Sequence, residues 1–174
     1  MTIDVGCGKN KIEPGSLGLD QTLDSSADVI CNLDQLPWPL QDNSASRIYL
    51  SHVLEHLNDL MGVMKEVYRI SQPRAKIHII TPHFSSHNSF SDPTHRHHLA
   101  AQSFRHFTGE SFQRFSGQAF RFRILDCRVT FGHSFLLDGI GRTIASWSLP
   151  WYEKHAAWIF PAQEISCTME VIKT

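Results

Sequence analysis

Short apolar runs separated by polar, turn-forming stretches set the pattern of this chain. Residues 2–5, 16–19, 28–31, 47–50 and 76–81 each read as a strand of a few residues. Leu57, Leu60, Met61, Met64, Val67 and Tyr68 recur at helical spacing on one face, and Pro73 falls just past the end of that helix. The second half predicts a helix over 102–115, strands over 120–131 and 164–173, and an aromatic, mostly helical insert over 135–161. Short strands alternating with connecting segments indicate an α/β fold with a mostly parallel sheet. No repeat, low-complexity tract or linker divides the chain, so residues 1–174 are expected to form one domain.

The first two crossovers are short. Residues 8–16 contain Pro14-Gly15, and residues 20–28 contain Asp24-Ser25-Ser26, which favours turns. Parallel strands normally need a connection of about a dozen residues or more. Ile3, Val5, Leu17, Leu19, Val29 and Ile30 are read as placing apolar residues on both faces of the sheet, and parallel sheets are normally covered on both sides. One face therefore needs a cover other than its own local helices. We expect a homodimer whose interface includes part of the insert, with intrachain cover by residues 99–118 and 135–161 as the alternative.

Composition narrows the classes. Hydrophobic residues make up 41% and charged residues 19%, as in ordinary globular proteins. A net charge of −1 disfavours a nucleic-acid partner, which usually selects a positive excess. No apolar run is long enough to span a bilayer. Cys7, Cys31, Cys127 and Cys167 form no Cys-x-x-Cys pair, and no signal peptide precedes the first strand. We expect a cytoplasmic protein with reduced cysteines.

The chemistry-bearing residues gather at strand ends, where open α/β sheets bind ligands. Asp4-Val5-Gly6-Cys7-Gly8 closes strand 1, and its glycines let backbone approach a ligand without a Cβ clash. Asp20 closes strand 2 and can accept from both hydroxyls of a ribose. Asp34 follows strand 3 and can accept from an exocyclic amine. Ser51-His52 closes strand 4. The plainer reading is that Gly6, Gly8 and Asp20 are turn residues.

These residues, with Gly18-Leu19-Asp20, Leu36-Pro37-Trp38-Pro39, Asp42 and Ser51-His52-Val53-Leu54-Glu55-His56-Leu57, resemble the class I S-adenosylmethionine-dependent methyltransferases of type 11. The resemblance covers the first half closely and the rest in outline. It implies a Rossmann-like sheet of about seven strands whose last strand, 164–173, is antiparallel. It implies S-adenosylmethionine as cofactor, held by Asp4, Gly6, Gly8, Asp20, Asp34, Ser51 and His52. Gly6 and Gly8 would pass under the methionyl part, Asp20 would hold the ribose and Asp34 the adenine amine. Ser51 and His52 would lie near the methionine. The third glycine of Gly-x-Gly-x-x-Gly is missing, as is a long helix after strand 1, which disfavours a pyrophosphate-bearing cofactor. The family's usual helices before strand 1 have no counterpart here. The expectation is that later segments form the lid, or that the site is open.

The eleven histidines are unevenly spread, with seven between His78 and His106. His83-x-x-x-His87 precedes Asp92-Pro93-Thr94-His95-Arg96-His97-His98, directly after strand 5. Histidine suits proton removal near neutral pH, and we take His83, His95 and His98, with Asp92, as the catalytic candidates. No metal ligand is assigned. Metal binding by the His and Asp side chains is the second possibility, and Asp92 as a helix N-cap with Pro93 at the first helical position is the third. Phe104-Arg105, Arg114-Phe115 and Phe120-Arg121-Phe122-Arg123 read as a core face and a solvent face, with an anionic-substrate patch as the sharper alternative. The insert's aromatic stripe, including Trp147, Trp151 and Trp158, is expected to pack against the body. The function expected is methylation of a small-molecule or sugar-like acceptor, on oxygen, with a His base. A metal-assisted enzyme, and a cofactor-binding assembly module without catalysis, are the rivals.

Overall fold

The computed structural model describes residues 1–108, 121–132 and 135–173, apart from the side chains of residues 135–137. Its strands are β1 (Thr2–Val5), β2 (Leu17–Asp20), β3 (Val29–Ile30), β4 (Ala45–Ser51), β5 (Ser71–Pro82), β6 (Phe122–Thr130) and β7 (Glu164–Val171). They form one seven-stranded sheet in the order β3-β2-β1-β4-β5-β7-β6. Paired strands are parallel except β7, which runs antiparallel to both β5 and β6. The helices are α1 (Leu60–Ile70), the short α2 (His87–Ser91), and α3 (Phe135–Trp147) and α4 (Leu149–His155) of the insert. This is the α/β sheet with an antiparallel last strand that the sequence predicts.

Local chemistry moves some boundaries. The first long helix starts at Leu60 rather than Leu57, because Asp59 caps it and accepts from Gly62 N at 2.9 Å. Pro73 lies inside β5. Ala45 pairs with Ser71 and Arg47 with Lys76, so the register shifts there and the surplus residues, including Pro73 and Arg74 at φ 66°, bulge out. The helix expected over 102–115 is a 3-10 helix, Ala101–Phe107; residues 109–120, with Arg114, Phe115 and Phe120, lie outside the described residues.

One face of the sheet carries the core. Ile3, Val5, Leu19, Ile48, Leu50, Ile77 and Ile79 point to it and are fully buried. Val63, Met64, Val67 and Ile70 of α1 pack on them, and Phe104 and Phe107 join the same cluster. Each such side chain contributes roughly 1.5–3 kcal/mol on burial. The β3–β4 connection is locked on by Trp38, which is buried and donates Nε1–H to Leu33 O at 3.1 Å. Buried Glu66 of α1 accepts from Trp38 N at 2.7 Å and pairs with Arg69, which also donates to Leu40 O. The Leu-Pro-Trp-Pro motif is thus a clamp between this connection and α1.

The opposite face corrects the expectation of apolar residues on both sides. Ile3 and Val5 face one way, and so do Leu17 and Leu19; the register sets polar residues on the other side. Arg47 and Tyr49 donate to Glu13, each at 3.0 Å, and Tyr49 stacks on His78 with ring centroids 5.1 Å apart. Lys76 and Arg123 pair with Glu170, and His78 Nδ1 lies 3.2 Å from Thr168 Oγ1. Such a face needs no apolar cover, so the premise for a dimer across it is gone. The insert is helical as expected, yet Trp147 is exposed by 80%, and Trp158, exposed by 70%, meets the body in an edge contact with Phe84, ring centroids 5.3 Å apart. Tyr152 and Ala156 of the α4 region fill a satellite core with Phe84 and Phe131 instead.

His78 gives this face a pH signature. Burial, then Arg47 and Lys76, lower its pKa below the ordinary 6.5, with Glu13 opposing. A depressed histidine favours the fold while neutral. Its contribution is complete above about pH 6.5 and is lost as pH falls through the lowered value. Urea unfolding of His78→Gln should therefore show a shallower loss of stability between pH 7 and 5 than wild type; equal slopes would show that His78 does not couple to folding.

Candidate active site

A cavity of ≈ 490 Å³ opens at the carboxyl ends of β1, β2 and β4. That volume lies within the range of small-molecule sites. Gly6, Asp20, Asp34 and His52 line it, with Gln21, Asn32, Val53, His56, Thr94 and Arg96 among their neighbours. Gly6 has φ 68°, and a Cβ there would meet Val53 Cγ2 at 2.3 Å, so only bare backbone fits this wall. Asp20 is buried and its carboxylate is held from two sides: Oδ2 accepts from Gly8 N at 2.9 Å and Oδ1 from Thr22 N at 2.8 Å. Each oxygen keeps lone-pair capacity for a ligand hydroxyl. Asp34 accepts from Asn58 N and Asn58 Nδ2 at 2.7 and 2.6 Å, which ties the end of β3 to the start of α1.

The remaining predicted residues sit around this cavity rather than in its lining. Gly8, at φ 52°, donates its N–H to Asp20. Asp4 is buried and accepts from Ile12 N at 2.7 Å, so it pins the β1–β2 crossover; burial raises its pKa. Ser51 ends β4, one residue before the lining begins. His52 has φ 55°, uncommon for a non-glycine residue. Its Nδ1 lies 3.4 Å from Glu55 Oε1 and its Nε2 3.3 Å from Glu164 Oε1. The Glu55 carboxylate raises its pKa, against the effect of burial. The 3.4 Å contact is an ion pair without hydrogen-bond geometry, since Glu55 Oε1 has no hydrogen-bond partner among the described residues.

The histidines divide by environment. His83 is fully buried, with Nε2 toward Glu153 Oε1 at 3.3 Å and Nδ1 accepting from Ser85 N at 3.2 Å. Glu153 also accepts from Ala101 N, so His83 ties β5, α4 and the 3-10 helix together. Sealed this way it cannot receive a proton from a substrate, which corrects its expected catalytic role. His98 stacks on Phe90 at 4.1 Å and meets Ser89 Oγ at 2.9 Å, outside the cavity lining. His95 stands edge-on to His56 with ring centroids 4.6 Å apart. Asp92 is no N-cap: it follows the end of α2 and accepts from both Thr94 N and Thr94 Oγ1 in a tight turn. Glu55, His56 and Thr94 are the site residues that sequence reasoning left unassigned. The Ser-His-Val-Leu-Glu-His motif was the signal available for two of them.

Comparison with known proteins follows this geometry. Residues 9–79 match the methyltransferase-domain family of type 11. An S-adenosylmethionine-dependent methyltransferase from Archaeoglobus fulgidus shares the fold at TM-score 0.67 and 18% identity, over 97% of this chain and 85% of that one. One from Mesorhizobium loti does so at TM-score 0.61 and 13% identity, over 97% and 89%. An arsenic(III) S-adenosylmethionine methyltransferase from Chlamydomonas reinhardtii does so at TM-score 0.55 and 14% identity, over 99% and 63%. No curated protein matches the chain significantly. Residues 9–79 thus resemble a methyltransferase domain, and the fold of the chain is one that S-adenosylmethionine-dependent methyltransferases share.

The cavity suits S-adenosylmethionine. Gly6 presents bare backbone at its wall, Asp20 is an oriented acceptor pair, and the β1–β2 crossover contains no helix whose N-terminus would select a pyrophosphate. Asp20→Ala should weaken S-adenosylmethionine binding by about 1.5–3 kcal/mol, the scale of a lost charge-assisted hydrogen bond. Calorimetry showing unchanged affinity in a folded variant would remove Asp20 from the site.

Proposed function

We propose that the domain methylates an oxygen of a small polar or sugar-like acceptor. The observation that carries this reading is the adjacency of two groups at one sheet edge. The cofactor-type lining of Gly6, Asp20 and Asp34 shares its cavity with His56 and Thr94, which contact His95 and Asp92. S-adenosylmethionine, when bound, supplies a methyl group on a sulfonium. In the transfer the sulfur–methyl bond breaks, its electron pair stays on sulfur, and an oxygen–methyl bond forms. The thioether leaves without protonation, so the protein's tasks are to orient the acceptor and to take up its hydroxyl proton. The His56–His95 pair is the group placed to do the second.

A larger cavity of ≈ 860 Å³ supports a small acceptor of mixed polarity. It lies between α3 and the β6–β7 edge, lined by Arg128, Thr130, Arg142, Glu164 and Ser166 together with Ile80, Phe131 and Leu149. Glu164 connects it to the cofactor cavity through His52. The solved relatives include one named for arsenic(III), so the shared fold leaves the acceptor open. Among the described residues no helix is long and apolar enough to cross a membrane. Self-association through Trp147 and Trp151 belongs to this reading, supported by the exposure of both rings.

With a hydroxyl-bearing acceptor panel, His95→Ala should lower kcat at least tenfold while S-adenosylmethionine affinity stays within twofold. Turnover equal to wild type would take the histidine pair out of the reaction. Bound cofactor without transfer to any acceptor would favour the assembly-module reading.

A further inference from the structure

We propose that Glu55, His56 and His95 form a binding site for one divalent transition-metal ion of the zinc type at the edge of the cofactor cavity. This rests on the reading above but gives the histidine pair a different task, metal ligand in place of proton acceptor, and it takes up the metal alternative with Glu55 and His56 in the set. One ligand atom from each of the three residues lies within 4.8 Å of the other two. Glu55 is 1% exposed, and the His95 side chain is 7% exposed. The set is therefore a built cluster and not a solvated acidic surface.

The hydrogen bonds decide which atoms are free. Thr94 Oγ1 gives its single proton to Asp92 Oδ1 at 2.6 Å, so toward His56 Nδ1 at 2.9 Å it can only accept. His56 therefore carries its proton on Nδ1 and keeps a bare lone pair on Nε2. His95 Nδ1 faces the carbonyl of Ser89 at 3.2 Å. A carbonyl accepts only, so this ring too is protonated on Nδ1, and its Nε2 carries the lone pair, 3.9 Å from Asp92 Oδ2. An outer hydrogen bond that fixes the tautomer and leaves the other nitrogen free is the arrangement metal-ligating histidines use. Glu55 supplies the third group. Its Oε2 accepts from Thr81 Oγ1 at 3.0 Å, while buried Oε1 has no hydrogen-bond partner among the described residues. Two imidazole lone pairs and a buried carboxylate oxygen that makes no hydrogen bond among the described residues, only a 3.4 Å contact with His52 Nδ1, are acceptors that a cation satisfies together.

The donor set selects the ion. Two nitrogens and one carboxylate oxygen suit zinc and its neighbours better than magnesium, which prefers oxygen and water. Four-coordinate zinc sets its ligand atoms about 3.4 Å apart, so the cluster needs to contract by ~1 Å. The backbone is already fixed for this. Glu55 O accepts from Arg96 N and His97 N at 2.7 and 3.2 Å, which clamps the 92–97 loop onto the turn holding Glu55 and His56. Three protein ligands leave a coordination position open, and His56 lines the strand-end cavity.

The test is metal uptake, read without acceptor or turnover. Chelator-treated protein is titrated with Zn²⁺ against a chromophoric chelator, with Co²⁺ for its absorption bands and Mg²⁺ in parallel. Wild type should take up one tight equivalent of Zn²⁺ and show cobalt bands, with no competing Mg²⁺ uptake. His56→Ala and His95→Ala should each lose that equivalent, while His155→Ala, on the insert, keeps it. Thr94→Val, at an exposed position, should bind about 10-fold more weakly through loss of the outer hydrogen bond; it carries the test if the histidine variants fail to fold. No uptake by wild type, uptake unchanged in all three site variants, or equal uptake of Mg²⁺ would overturn the proposal. S-adenosylmethionine affinity measured on the same samples keeps this outcome separate from that of the methyl-transfer reading.

Discussion

Carboxylates that accept backbone N–H groups hold the strand-end edge of this protein together. The crossovers after β1 and β2 contain no helices, so their amides lack the partners a helix would supply. Aspartates take that place. Asp4 accepts from Ile12 N, Asp28 from Gly18 N, and Asp20 from Gly8 N and Thr22 N. Lys11 reaches Asp28 and Ser16 O across the same crossover. These bonds shape the mouth of the strand-end cavity. Asp20, which lines that cavity, also secures the loop, so fold and cavity depend on the same carboxylate.

The short crossovers have a second consequence. The crossovers after β1 and β2 put no helix over the outer sheet face, and there the chain makes a ladder of Glu13, Arg47, Tyr49, His78 and Glu170. The core is therefore one-sided, built between α1 and the inner face, with Trp38 plugging the gap left by a helix-free β3–β4 connection. The insert adds a separate small core around Tyr152 and leaves Trp147 largely in solvent.

What the sequence could disclose follows from the range of the interactions. The strand ends were legible because Gly6-Cys7-Gly8 and Gly18-Leu19-Asp20 act within a few residues of themselves. The polar outer face is not legible from apolar content alone, because a period of two points Ile3 and Val5, and Leu17 and Leu19, to the same side. The role of Glu55 and His56 was hidden because their partners, Thr94 and His95, arrive from a loop after the next strand. His83 looked as available as His95; only packing against Glu153 and Ser85 separates them.

The central claim is that the strand-end cavity is where the cofactor binds. Amide hydrogen exchange with and without S-adenosylhomocysteine, the demethylated cofactor, tests it most directly. The account predicts added protection confined to the segments around residues 5–8, 20–22, 32–34 and 51–58. No protection at saturating ligand, or protection centred on residues 142–149 beside the larger cavity, would contradict it.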